Sequence, residues 1–249
     1  MDLTANVKLL CDAFLTLLYP QACVICQHSV ERRAFGVACE ECWQSTLLFT
    51  GNETICWKCG APLAGSLDNS GREEVRCHRC DKHAFTAARA CGLYETALRE
   101  TVLNLKRQPY LPEMISHLLV NTMSREPLNK STLIVPVPLH ARRLQMRGFN
   151  QASVIARAVS TSVRLPINEV SLIRTSHTEK YRAGLDAKGR TDTVARAFAV
   201  VHPRLIAGEK ILLVDDVFTT GATSSECSNA LLTAGAETVN VLTIARTMR

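Results

Sequence analysis

Two groups of residues in this chain have the type and spacing to do chemistry. The first is a set of eight cysteines, grouped as four C-x2-C pairs. Cys23-x2-Cys26 is followed after twelve residues by Cys39-x2-Cys42, and Cys56-x2-Cys59 after seventeen by Cys77-x2-Cys80. Two residues between cysteines let both sulfurs of a knuckle turn toward one ion. Two knuckles complete a tetrahedral shell of four thiolates, the usual closed form of structural zinc. A single C-x-x-C would leave a redox role open, but four pairs in two matched sets favour zinc. His28 and His78 lie close enough in sequence to act as substitute ligands. Cys11, Cys91 and Cys227 stand alone and read as small buried side chains.

The second group is the string Ile211-Leu212-Leu213-Val214-Asp215-Asp216-Val217-Phe218-Thr219-Thr220-Gly221-Ala222-Thr223. Four aliphatic residues make a buried strand, and two acids stand at its carboxyl end, where open α/β sheets bind ligands. The hydroxyl-rich turn that follows enters a helix. Its backbone N–H groups, from Thr219 to Thr223, can surround a phosphate at the positive end of that helix. Gly221 permits close approach or a positive φ. Adjacent carboxylates repel phosphate but suit ribose hydroxyls, which are donors.

The elements that must position these groups divide near residue 84. Few aliphatic residues lie between Gln21 and His83, so metal would have to supply the folding energy there, on the order of 10–16 kcal/mol per site. Beyond that point the pattern is α/β. We read strands near 86–94, 133–135, 170–174, 197–200, 211–214 and 238–244, and helices near 97–106, 112–125, 150–163 and 222–233. Leu139–Gly148 reads as a basic loop, and 175–192 as a polar, charged segment. Strands alternating with helices imply a mainly parallel sheet covered on both faces. The expected domains are 1–84, an N-terminal helix and double four-cysteine module, and 85–249, the α/β domain.

With 249 residues, 47% apolar and 21% charged, the chain has the composition of an ordinary globular protein. Its formal charge of +6 is compatible with an anionic ligand or weak attraction to nucleic acid and proves neither. Aromatics are only 5%, which argues against a row of base-stacking rings. Trp43 and Trp57 each follow a knuckle cysteine and read as packing over the metal sites. The apolar run Leu9–Tyr19 is interrupted by Asp12 and is shorter than the ~20 residues a bilayer requires. It lacks the flanks of a signal peptide, so we expect an amphipathic helix ending before Pro20 and a cytoplasmic protein without a membrane span.

The thirteen-residue string resembles the phosphoribosyl pyrophosphate signature of type I phosphoribosyltransferases. The whole chain resembles ComF-type competence proteins. The motifs that carry this are Tyr19-Pro20, the paired knuckles, Leu105-Lys106, Ile134–Leu139, Arg147-Gly148-Phe149-Asn150-Gln151-Ala152, the signature, and Ala234-Gly235-Ala236. The resemblance implies a type I phosphoribosyltransferase-like, mainly parallel sheet preceded by a small double zinc-ribbon module. It implies that Asp215 and Asp216 hold the ribose hydroxyls, the catalytic positions of the fold. Val217, Phe218, Thr219, Thr220, Gly221, Ala222 and Thr223 would surround the 5′-phosphate. Pro136-Val137-Pro138 would begin a pyrophosphate loop, with Arg142, Arg143 and Arg147 as charge-assisted donors. Phosphoribosyl pyrophosphate would arrive with Mg²⁺, held largely by ligand oxygens and water. The implied partners are single-stranded DNA and competence or DNA-processing proteins.

One segment departs from the family pattern. Where that pattern reads T-x-x-Q-x-x-L and then R-x-x-N before Ala-Phe, this chain has Arg182 at the glutamine position and Thr193 at the asparagine position, and keeps Leu185 and Arg190. In transferases this segment is a lid that closes on the pyrophosphate. Lys180, Arg182, Lys188 and Arg190 suit a polyanion, so ligand binding is the firmer expectation and catalysis stays open. Three readings follow: transfer of a phosphoribosyl group to a nitrogen nucleophile, a non-catalytic ribose-phosphate module, and a nucleic-acid adapter.

Overall fold

The computed structural model describes residues 18–63, 75–175 and 197–248. The apolar N-terminal segment through residue 17 and the segment 176–196, which holds Arg182 and Arg190, lie outside them. Four strands form one parallel sheet in the order β1-β6-β5-β2: β1 (Ala87–Leu93), β2 (Leu133–Pro136), β5 (Lys210–Phe218) and β6 (Thr238–Arg246). A parallel bridge between Ile134 and Ile167 extends pairing beyond β2. β3 (Leu172–Arg174) and β4 (Phe198–Val200) make a separate antiparallel pair.

The side chains of β5 explain why the sheet is covered on both faces. Leu212 and Val214 point into a core with α2 (Thr96–Leu105), α3 (Glu113–Met123) and α5 (Gln151–Val163). Ile211 and Leu213 point the other way, into a core with α6 (Ala222–Thr233). Successive strand residues face opposite sides, so an unbroken aliphatic run requires both sides to be filled.

The cysteine segment has little core of its own and borrows these two. Cys23, Cys39, Cys42 and Trp43 extend the α2/α3 core, Cys42 and Trp43 from the short helix α1 (Glu40–Gln44). Cys56, Cys59 and Cys80 extend the α6 core. The connection between the two cysteine sets covers the outer edge of β1. Leu48 bridges antiparallel to Gly92, with Phe49 N–H donating to Cys91 O at 2.8 Å and Leu93 N–H to Leu47 O at 2.9 Å. An otherwise open sheet edge is thereby capped. Gly92 must be glycine for this, since a Cβ there would lie 2.3 Å from Leu47 O.

Most elements fall where the sequence pattern puts them, with two corrections. Leu139–Gly148 is not a loop throughout: Ala141–Arg147 is a helix, α4. None of its residues is buried, so no apolar stripe announced it. Its ends hold it instead, as the His140 side chain accepts from Arg142 N–H and Gly148, at φ 80°, closes the carboxyl end. In addition, β5 runs on to Phe218, so Asp215 and Asp216 lie within the paired strand, level with Thr243 on β6 and beyond. Among the described residues no helix is long and apolar enough to cross a membrane.

Candidate functional site

The eight knuckle cysteines gather into two clusters, Cys23/Cys26/Cys39/Cys42 and Cys56/Cys59/Cys77/Cys80, each with sulfurs within 4.8 Å of one another. The donor set can be tested for fit. Four sulfurs at ~2.3 Å from a tetrahedral zinc lie ~3.8 Å apart. Cys23–Cys42 is 3.7 Å, Cys26–Cys39 3.4 Å, Cys56–Cys80 3.5 Å and Cys59–Cys77 3.5 Å, so zinc fits with a small expansion. The protons distribute unevenly over such thiols. Cys56 is drawn down to about 3, first by its contact with Cys59, while burial pushes Cys80 up to about 12. Four sulfurs this close cannot all ionise until a cation holds them together. His28 is not in the first cluster; its Nδ1 faces Glu41 at 3.8 Å on the surface. His78 is likewise outside the second cluster.

The carboxyl ends of β2 and β5 meet next to each other. Val137 N–H donates to Val214 O at 2.9 Å, which carries Pro136-Val137-Pro138 alongside the two acids. Asn150 fixes that turn: Nδ2 donates to Val137 O at 3.0 Å, while Oδ1 caps α5 by accepting from Ala152 N–H at 3.2 Å. Nothing local marks Asn150 for this role beyond its place in the shared motif. Lys106, from the same motif set, places Nζ 3.5 Å from Asp216 Oδ2.

Asp215 is pushed up from 3.8 to about 8, first by burial and then by the neighbouring Asp216 charge. The Asp216 N–H, donating to Asp215 Oδ1 at 2.9 Å, and Lys106 pull the other way without prevailing. At neutral pH the acid pair therefore holds close to one proton, and a donor-rich ligand would draw it toward full ionisation.

After Phe218 the chain turns through Thr219 and Thr220, both exposed, into α6. Thr220 Oγ1 accepts from Ala222 N–H at 3.1 Å, which stiffens the turn. Gly221 sits at φ 80° and ψ 0°, and a Cβ there would come within 2.8 Å of Phe218 Cζ and 2.9 Å of His83 Nε2. Only glycine meets both demands. His83 comes from the end of the cysteine segment, so that segment packs directly on the loop. His83 stacks on Phe85 at 5.1 Å, Phe85 meets Phe218 edge-on at 5.7 Å, and Ala84 N–H donates to Ser225 Oγ at 3.0 Å.

This packing leaves a cavity of about 470 Å³ between the second cysteine cluster and Thr219-Thr220. Ala61, Pro62 and Leu63 give it an apolar wall, and Arg76, His78 and His83 a polar one. Sequence reasoning missed these residues because their contact with the loop joins segments more than 130 positions apart.

The arginines expected at the pyrophosphate loop are only partly brought together. On α4, Arg143 and Arg147 are four apart and share a face, whereas Arg142 is turned about 100° from Arg143. Arg142 and Arg143 are exposed and Arg147 is half-buried. Trp43 is buried, its Nε1–H donating to Phe35 O at 3.0 Å, so its ring is not free to stack on a base; Trp57 is half-buried, and the Arg89 guanidinium covers one face of its ring at 4.8 Å.

Residues 14–81 match the double zinc ribbon domain family. Over 240 residues, 93% of this chain and all of the relative, the sequence is 28% identical to DNA utilization protein YhgH of Escherichia coli K12. It is 37% identical over 114 residues to competence protein F of Haemophilus influenzae, 45% of this chain and 49% of that one. Competence protein ComFC of Bacillus subtilis is 24% identical over 82% of this chain and 89% of its own. Over most of its length the chain is thus similar to proteins named for DNA utilisation and competence. The double zinc ribbon match precedes the parallel α/β sheet, in the order the motifs imply. Among solved structures, glutamine phosphoribosylpyrophosphate amidotransferase of B. subtilis aligns with 52% of this chain at 19% identity and a TM-score of 0.38; the chain spans a quarter of that enzyme.

Proposed function

We propose that this ComF-type chain binds phosphoribosyl pyrophosphate with Mg²⁺ at the carboxyl edge of its sheet. The observation that carries this is the juxtaposition of three features: the acid pair Asp215-Asp216, the Gly221 turn into α6, and the Pro136–Pro138 turn bonded to Val214. Asp215 and Asp216 accept from the ribose hydroxyls. Backbone N–H groups from Val217 to Thr223, with Phe218, Thr219, Thr220, Gly221 and Ala222 between, surround the 5′-phosphate at the positive end of α6. Pro138 and the arginines of α4 face the pyrophosphate, and Arg182 and Arg190, which lie outside the described residues, supply further positive charge for it. Two carboxylates alone make a sparse Mg²⁺ site, so ligand oxygens and water complete the shell.

The chemistry such a site supports is transfer of the phosphoribosyl group to a nitrogen nucleophile with loss of pyrophosphate. Positioning and charge stabilisation drive it. The cavity under the second ribbon is where an acceptor fits. The similarity to proteins named for DNA utilisation and competence supports a role in DNA uptake or utilisation, in the cytoplasm, with DNA-processing proteins as partners. We place the boundary between ribbon module and transferase-like domain after residue 84. The test is calorimetric titration of zinc-loaded protein with phosphoribosyl pyrophosphate and Mg²⁺. Binding that Asp215→Asn with Asp216→Asn abolishes supports the reading, and no binding at millimolar ligand refutes it.

A second reading, single-stranded nucleic acid, is favoured by one feature. Tyr19 and Tyr110, 71% and 51% exposed, line one groove with Arg33, Asn104 and Gln108. Exposed rings beside amides and a guanidinium are the elements of a base-stacking surface. Binding of an oligothymidine that weakens steeply with salt and drops on Tyr110→Ala supports it. Salt-independent or absent binding counts against it.

A further inference from the structure

Among the described residues only two charged side chains are fully buried, Arg89 at 7% and Arg246 at 4% exposure. Neither meets a carboxylate within the described residues. Among the described residues, Arg89 Nη2 and Arg246 Nε have no hydrogen-bond acceptor. A buried guanidinium without a counter-charge is strongly disfavoured, so something else must compensate both.

Both side chains converge on the same knuckle, Cys56-Trp57-Lys58-Cys59. Arg89, from β1, donates through Nη1 to Trp57 O at 2.7 Å and lies over the Trp57 ring. Arg246, from β6, donates through Nη1 to Cys59 O at 2.5 Å. Backbone contacts press the knuckle onto them: Ala88 N–H donates to Lys58 O at 2.7 Å, and a Cβ on Gly60 would lie 2.5 Å from Ala88 O. A zinc ion with four thiolates carries a net charge of −2. Two guanidiniums carry +2.

We propose that Arg89 and Arg246 are the counter-charges of the second zinc site, and that they dock this ribbon on the sheet only while its four sulfurs are held as thiolates by the metal. Among the described residues the first site has no equivalent, since the two buried charged side chains both lie at the second. The docking reaches the phosphate loop. The Arg246 guanidinium lies 5.4 Å from the centre of the Phe218 ring, and Phe218 packs against the backbone of Gly221. Arg246 is thus a positioning residue that connects the metal to the loop.

The test follows zinc loss from the intact chain under excess chelator, by alkylating freed thiols and reading each cysteine peptide by mass spectrometry. Groups just outside a metal's ligands typically alter metal affinity 10–100-fold. Arg89→Gln and Arg246→Gln should each speed labelling of Cys56, Cys59, Cys77 and Cys80 by about 10–100-fold. Labelling of Cys23, Cys26, Cys39 and Cys42 should not change. Arg→Lys at either position, which keeps the charge with fewer donors, should restore most of the protection. Labelling of the second set that is unchanged, or sets that accelerate together, or lysine variants as labile as the glutamine ones, would overturn the proposal. Wild-type protein supplies a check free of substitution. During chelation, faster amide exchange in peptides covering β1 and β6 should track labelling of the second set. Exchange that tracks the first set, or that does not change, also overturns it.

Discussion

Replacing Asp215 with asparagine should stabilise the ligand-free protein while removing a group on which the proposed ligand depends. In the folded state Asp215 is held at about 8 instead of 3.8, because burial and Asp216 both disfavour its charge. Between those values the folded protein keeps a proton that the unfolded chain has released. Stability therefore falls as pH rises through this window. Each unit of difference is worth ~1.36 kcal/mol, so the ceiling at pH 7 is roughly 4 kcal/mol. Asp215 is half-buried at an open edge, and water reaching it lowers the cost. The expected gain for Asp215→Asn is then ~1–3 kcal/mol at pH 7, smaller at pH 5.5 and larger at pH 8.5. Urea denaturation of the zinc-saturated proteins at these three pH values measures it. Parallel pH profiles for wild type and variant, or a variant less stable at pH 8.5, would refute the reasoning. The gain should accompany loss of phosphoribosyl pyrophosphate binding, the usual trade between stability and a strained site.

Two further substitutions probe the frame around the acids. Gly221→Ala combines a positive φ with contacts of 2.8 Å to Phe218 and 2.9 Å to His83, and should cost ~2–4 kcal/mol in thermal or chemical unfolding and weaken phosphate binding. An alanine variant of wild-type stability would show that the ribbon tail does not press on the loop. Asn150→Ala removes both the α5 cap and the bond to Val137 O, for an expected ~1–2 kcal/mol. Its loss should be felt in affinity for pyrophosphate more than for ribose 5-phosphate, and equal losses would separate Asn150 from the Pro136–Pro138 turn.

Much of the architecture was legible because the strongest local signals coincide with the real elements. The aliphatic run before Asp215 needs filling on both faces, and a run of this kind reads as a parallel strand without further information. The C-x2-C spacing reads equally well because ligand geometry is local: each knuckle closes within four residues. α4 was illegible for the converse reason. None of its residues is fully buried, so no periodicity betrays it, and its ends are marked by caps at His140 and Gly148. The run of β5 past the acids was also hidden, because its continuation depends on pairing with β6 as far as Arg246.

Local sequence is enough to specify the two four-cysteine sets, the parallel α/β pattern, and the chemistry offered by Asp215-Asp216 and the turn to Thr223. It does so because each of these is encoded within a short window. Tertiary structure alone decided how they are related. Each ribbon completes one of the two cores, His83 leans on Gly221, and a cavity opens between the second ribbon and the phosphate loop. It also decided that Arg89 and Arg246, ordinary strand residues in sequence, become buried cations on a cysteine knuckle. Burial and charge compensation depend on segments up to 187 positions apart, and no local pattern records such distances.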